Sequence, residues 1–98
     1  GIDIPLPGIQ KVDSVVITYL HDPVSWIHAP ARFKVNTNDT EVLTGTADRS
    51  EAICRAVIKV SDETDRIRVN VFSIGKNPEG SAGAGEDGWM FISEIQVY

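Results

Sequence analysis

Apolar and polar residues alternate one by one along much of this chain. In residues 65–74, Ile67, Val69 and Val71 fall on one face while Arg66, Arg68 and Asn70 fall on the other, the period of a strand with one buried face. Phe33 and Val35 set against Arg32, Lys34 and Asn36 repeat the pattern. The run Val12-Asp13-Ser14-Val15-Val16-Ile17-Thr18-Tyr19-Leu20 is more continuously apolar, as a central strand covered on both faces would be. No stretch keeps a 3.6-residue apolar period, and Gly, Pro, Asn and Asp clusters separate the β-branched runs, so strands are predicted throughout. They are placed at 2–5, 11–20, 31–37, 41–45, 51–60, 65–74 and 89–98, with turn chemistry at Asn38-Asp39 and Ser61-Asp62-Glu63. Short strands with regular turns imply an all-β fold, an antiparallel β-sandwich in jelly-roll form.

This order sorts the connections. If successive strands run antiparallel, alternate connections share an end of the sandwich. Residues 21–30, 46–50 and 75–88 then lie at one end, and 6–10, 38–40 and 61–64 at the other. The first set holds the long, chemically varied loops, where function concentrates on a rigid scaffold.

Size and charge narrow the classes. Ninety-eight residues make one domain, spanning 1–98, too small for a catalytic domain with a deep cleft. A formal charge of −5 with scattered basic residues argues against nucleic acid or an anionic membrane as partner. No apolar stretch is long enough to span a bilayer as a helix. Cys54 has no second cysteine to pair with, and its neighbours Ala52 and Ile53 make it a buried small hydrophobe rather than a nucleophile. Gly1-Ile2-Asp3-Ile4-Pro5 begins in mid-pattern, as a piece excised from a longer protein would.

Gly83-Ala84-Gly85-Glu86-Asp87-Gly88 spells G-x-G-x-x-G. A phosphate cradle needs a helix after the glycines, but Trp89-Met90-Phe91-Ile92 opens a strand-like run. Glu86 and Asp87 would also stand where the anion should. The glycines therefore read as a flexible loop entering a final strand. No G-x-S-x-G elbow accompanies Ser25, and Glu79, Glu86 and Asp87 on a glycine-rich loop lack the rigid walls that a glycosidase carboxylate pair needs. Asn38-Asp39-Thr40 matches the N-glycosylation sequon, a short pattern that decides nothing alone.

The loop His21-Asp22-Pro23-Val24-Ser25-Trp26-Ile27-His28-Ala29-Pro30 holds both histidines and one of the two tryptophans. An indole face beside polar groups suits a sugar ring. Equally, Trp26 beside Ile27 between two prolines reads as a plug for the end of the core. The histidines lack further ligands at metal spacing, so no metal and no cofactor are expected.

Three stretches taken together resemble a known family. They are Tyr19 to Pro30 followed by Phe33-Lys34-Val35; Asp65-Arg66-Ile67-Arg68-Val69; and Asn77-Pro78-Glu79-Gly80-Ser81-Ala82-Gly83-Ala84-Gly85 with Gly88-Trp89-Met90-Phe91-Ile92-Ser93-Glu94-Ile95. This set resembles the discoidin domain, or coagulation factor V/VIII type C domain, found at the C-terminus of bacterial chitobiases (β-N-acetylhexosaminidases). The resemblance implies a galactose-binding-like jelly roll, a non-catalytic accessory module of a secreted, periplasmic or cell-surface bacterial glycoside hydrolase, and a monomer. Its partner would be a glycan of N-acetylhexosamine or galactose type, or the parent catalytic domain. Sugar-binding relatives place a His, an Arg, an Asn and an aromatic on the end loops; His21, His28, Trp26, Arg49 and Asn77 are the matching positions, with Glu79 beside them. Trp89 and Phe91 match a motif that packs inward. Glu94 matches a calcium-ligating carboxylate, but the segment supplying the other oxygen donors is missing, so it is expected to act as a hydrogen-bond acceptor.

Overall fold

The structure, a computed structural model, describes residues 1–80 and 82–98. Ser81, within the glycine-rich stretch above, lies outside the described residues. The fold is all-β: β1 (Ile2–Leu20), β2 (Arg32–Asn36), β3 (Glu41–Leu43), β4 (Ile53–Phe72) and β5 (Ile92–Val97) form one antiparallel sheet in the order β3-β2-β4-β1-β5. A single turn of 3-10 helix spans Pro23–Ser25.

Two of the expected turns are not chain reversals. Segments 2–5 and 11–20 belong to one strand, β1, and 51–60 and 65–74 merge into β4. The two long strands pair in successive registers, Ile2 to Pro5 against Val69 to Arg66 and Ser14 to Leu20 against Lys59 to Ile53. Shifts between Pro5 and Gln10 and between Val12 and Ser14 separate these registers. Gly8 (φ +92°) and Ser61 (φ +46°) take the left-handed conformation beside the shifts. Such irregularities bend a ribbon and sharpen its twist without ending its pairing. The remaining differences are at strand ends: β3 stops at Leu43, and β5 starts at Ile92 rather than at Trp89.

The bend turns the two halves of the ribbon toward each other. One half carries β2 and β3 along Arg68–Phe72 of β4, while the other carries β5 along Val15–Tyr19 of β1. Tyr19 from the second half meets Phe33 from the first, their ring centroids 5.4 Å apart and tilted by 53°. Val15, Ile17, Phe33, Val35, Cys54, Ile58, Ile67 and Val69 complete one buried cluster drawn from both halves. The arrangement is sandwich-like, with strands crossing from layer to layer through bulged corners. Full burial of each aliphatic or aromatic side chain contributes about 1.5–3 kcal/mol.

The alternation read from 65–74 and 31–37 is reproduced, with Ile67, Val69, Phe33 and Val35 buried and Arg66, Arg68 and Arg32 exposed. β1 lies between β4 and β5, and Val15, Val16, Ile17 and Tyr19 are buried. Cys54 is buried, with its thiol donating to Glu51 O.

Loops 21–30, 46–50 and 75–88 meet at one end. Ala47 N donates to Ala31 O, Trp89 N to Trp26 O, and His28 N to Trp89 O. At the far end Thr37 and Asn38 bond to Asp62, Thr64 and Asp65 across the bend.

Candidate functional site

The loop after β1 is closed by a reciprocal backbone pair, Asp22 N to Ile27 O and Ile27 N to Asp22 O. Pro23 at the start of the 3-10 turn has no N–H to leave unsatisfied. Trp26 ends the turn in the left-handed region (φ +64°), its N–H donating to Pro23 O. That conformation costs a side-chain-bearing residue about 1–2 kcal/mol, which the reciprocal pair and the neighbouring loop offset.

The glycine-rich loop packs onto it. A Cβ built on Gly83, where φ is +66°, would fall within 2.2 Å of the Trp26 indole, so only glycine permits this approach. Asn77 organises the loop from inside: its N–H donates to Glu86 O, its O accepts from Gly85 N, and its Nδ2 donates to Gly83 O. Gly88 closes the other side, its absent Cβ leaving room 2.6 Å from Asn77 Oδ1 and 3.4 Å from His28 Cδ2.

The histidines are brought together, rings 5.8 Å apart and edge to face. Ala29 N donates to His21 Nδ1 at 3.1 Å. Burial holds the His21 imidazole below its ordinary pKa, the Arg49 and His28 charges act in the same direction, and Asp22 opposes them. Arg49 Nη2 approaches both Ala29 O and Pro30 O at 3.4 Å. Its guanidinium thus caps the carbonyls at the end of the loop.

Four of the six residues singled out from the sequence prove to be internal supports or partly so. His28 and Asn77 are each only 3% exposed, so the structure places them inside the loop end rather than on its surface. Their Nε2 and Oδ1 atoms are buried, and both side chains border Gly88. His21 and Arg49 are half-buried and hold the 28–30 backbone. Trp26 is 37% exposed, neither a full core plug nor a free platform, since Gly83 covers part of the indole. Glu79 is exposed on the 75–88 loop.

Two aromatics that the resemblance turns inward face solvent instead. Trp89 is 68% exposed and Phe91 51%, because β5 starts only at Ile92 and residue 89 is held by its parallel bridge to Ile27. Trp26 and Trp89 are therefore both solvent-facing on backbones joined by a 2.7 Å hydrogen bond. Nothing in the local alternation marks this, since the bridge depends on a partner more than sixty positions away. Next to it, Ile53 pairs with Leu20, whose N–H donates to Phe91 O, so an apolar row runs across β4, β1 and the entry to β5.

Other concavities lie elsewhere. An open depression of about 540 Å³ at the bend is lined by Lys11, Asn38, Asp39, Asp62 and Glu63. Among the described residues no group of three or more His, Cys, Asp or Glu side chains could hold a metal ion. Glu94 is exposed in β5 opposite Thr18. Among the described residues no helix is long and apolar enough to cross a membrane. No protein-family model matches the chain, and a search of curated proteins finds no relative of it.

Proposed function

We propose that this chain is a non-catalytic accessory module of a bacterial glycoside hydrolase of the chitobiase type, a discoidin-like jelly roll that binds glycans through the 21–30 and 75–88 loops. One observation supports this above the rest: both tryptophans are solvent-facing at the same end, on loops locked together by the Trp89 N to Trp26 O bond. Aromatic faces held rigidly beside polar groups take up the C–H face of a sugar ring, while hydroxyls need nearby donors and acceptors. Asp22, Ser25, Glu79, Glu86 and Asp87 are exposed on these same loops and provide such groups. His21, His28, Arg49 and Asn77 then act as the frame, and Trp26, Trp89 and Glu79 as the contact residues. Weak affinity suffices, because a tethered module raises the local concentration of its enzyme on the glycan. The parent protein on this reading is secreted, periplasmic or cell-surface, and the module is monomeric.

A titration of the isotope-labelled chain with N-acetylglucosamine, chitobiose and galactose tests it by NMR. Saturable shifts on 21–30 and on Trp89, reduced by W89A, are expected. A flat response to all three sugars at millimolar concentration overturns the glycan reading.

The apolar row Ile53, Leu20 and Phe91 favours a second reading, in which this edge packs against the parent catalytic domain. Ile53 is 62% exposed and Phe91 51%, and interdomain surfaces carry such residues. On that reading I53K and F91K leave the isolated module folded but weaken its association with the catalytic domain, which W89A does not.

A further inference from the structure

The segment that presents Trp26 is fastened by a bond that survives only while one histidine is uncharged. Ala29 N donates to His21 Nδ1 at 3.1 Å, so Nδ1 serves as an acceptor and the neutral ring keeps its proton on Nε2. We propose that His21 is a proton-operated latch for the 21–30 loop: protonation of Nδ1 sets a donor against the Ala29 donor and frees the 26–30 backbone.

The surroundings leave a charged ring poorly accommodated. Arg49 reaches in from the 46–50 segment, its Nη2 at 3.4 Å from the carbonyls of Ala29 and Pro30. The His28 ring stands 5.8 Å from the His21 ring on the same loop. Asp22 is the carboxylate that opposes these groups, and it is exposed to solvent, where its attraction is screened. A cation formed on His21 meets one guanidinium and one imidazole in a half-buried position, so opening relieves both the lost bond and the repulsion.

Release would reach beyond residue 29. His28 N donates to Trp89 O, and Trp89 N donates to Trp26 O, so displacement of 26–29 unties the second tryptophan from the first. Acid then separates the two aromatics that together make the solvent-facing pair. As control of ligand binding the latch rests on the glycan reading above; as a movement of the loop it does not.

The test follows the Ala29 amide and both indole N–H signals of the full chain by NMR between about pH 8 and pH 4, reaching to the acid side of the ordinary histidine range because burial lowers the His21 imidazole. The Ala29 amide proton is expected to lose its hydrogen-bonded shift along the same curve as the His21 imidazole, with the Trp26 indole following. H21N keeps an uncharged acceptor in place of Nδ1, and its Ala29 signal stays flat over the same range. An Ala29 amide that does not move while the imidazole titrates overturns the latch, whether or not H21N folds; equal movement in H21N does the same. Chitobiose titrations at both ends of the range then separate the two proposals. Binding lost in acid by the native chain and retained by H21N is expected. Equal binding at both ends overturns control by the latch, and absence of binding at both ends overturns the glycan reading while the Ala29 signal still decides the latch.

Discussion

Gly83 shows how much of the loop end depends on single atoms. Its φ of +66° and the 2.2 Å separation between a would-be Cβ and the Trp26 ring forbid any side chain. G83A carries about 1–3 kcal/mol of backbone strain, and the indole must also move. The expected result is a lower urea midpoint together with altered tryptophan emission; an unchanged midpoint and spectrum would show that Trp26 does not lie against this glycine. At this scale the sequence was informative about residue type and silent about side. The polar and aromatic residues of 21–30 and 75–88 do gather at one end. Yet His28 and Asn77 turn inward because Gly88 lacks the Cβ that would fill their space, and that is a packing fact with no local pattern. Trp89, which the resemblance turns inward, faces solvent for the converse reason: its backbone hydrogen-bonds to Trp26 and His28 before β5 begins.

The long β1/β4 ribbon is the element that most separates expectation from structure. Alternation along 11–20, 31–37 and 65–74 was legible because each strand buries one side. The bends were not, since a polar cluster such as Ser61-Asp62-Glu63 can either reverse a chain or bulge within a strand. What decides is the partner: Asp62, Glu63 and Thr64 pair with Val12, Lys11 and Gln10 and so stay in the ladder. Thr64 fixes the corner. Fully buried, its hydroxyl donates to Arg66 O at 2.7 Å and accepts from Asn38 N at 3.1 Å. T64V keeps the volume but strands the Asn38 N–H and the Arg66 carbonyl, a loss of about 1–3 kcal/mol. T64S restores most of it. Chemical denaturation of the three chains checks the order, and a T64V as stable as the native chain would mean the corner is held by pairing alone.

At the scale of the whole molecule, a 46 × 21 × 19 Å body is closed by the contact between its two layers, and Tyr19 lies in that contact. Its ring packs on Phe33 and its hydroxyl donates to Asp48 O at 2.8 Å, joining β1 to the 46–50 loop. Burial, with the charges of Cys54 and Asp48 added, pushes the phenol from 10.0 up to about 12. The folded chain therefore holds a proton that the unfolded chain releases first. Between these two values the unfolded state binds fewer protons than the native one, so stability falls as pH rises; below pH 10.0 the contribution is intact. The acid limb has the opposite origin. Hydrogen bonds from Ser50 to Asp48 and from Thr37 to Asp62, and from Asn36 and Lys34 to Glu41, hold these carboxyls below their ordinary values. The native state then resists protons that the unfolded state accepts, and stability is lost as pH falls through the carboxylate range. Y19F separates the two limbs. It removes the ionisable proton and the bond to Asp48 O while keeping the ring against Phe33, so it lowers stability at neutral pH by about 0.5–1.5 kcal/mol and flattens the decline above pH 10.0, leaving the acid limb in place. Urea midpoints measured across the pH range for native and Y19F chains give both slopes, and a native alkaline decline that persists unchanged in Y19F would assign it to other groups.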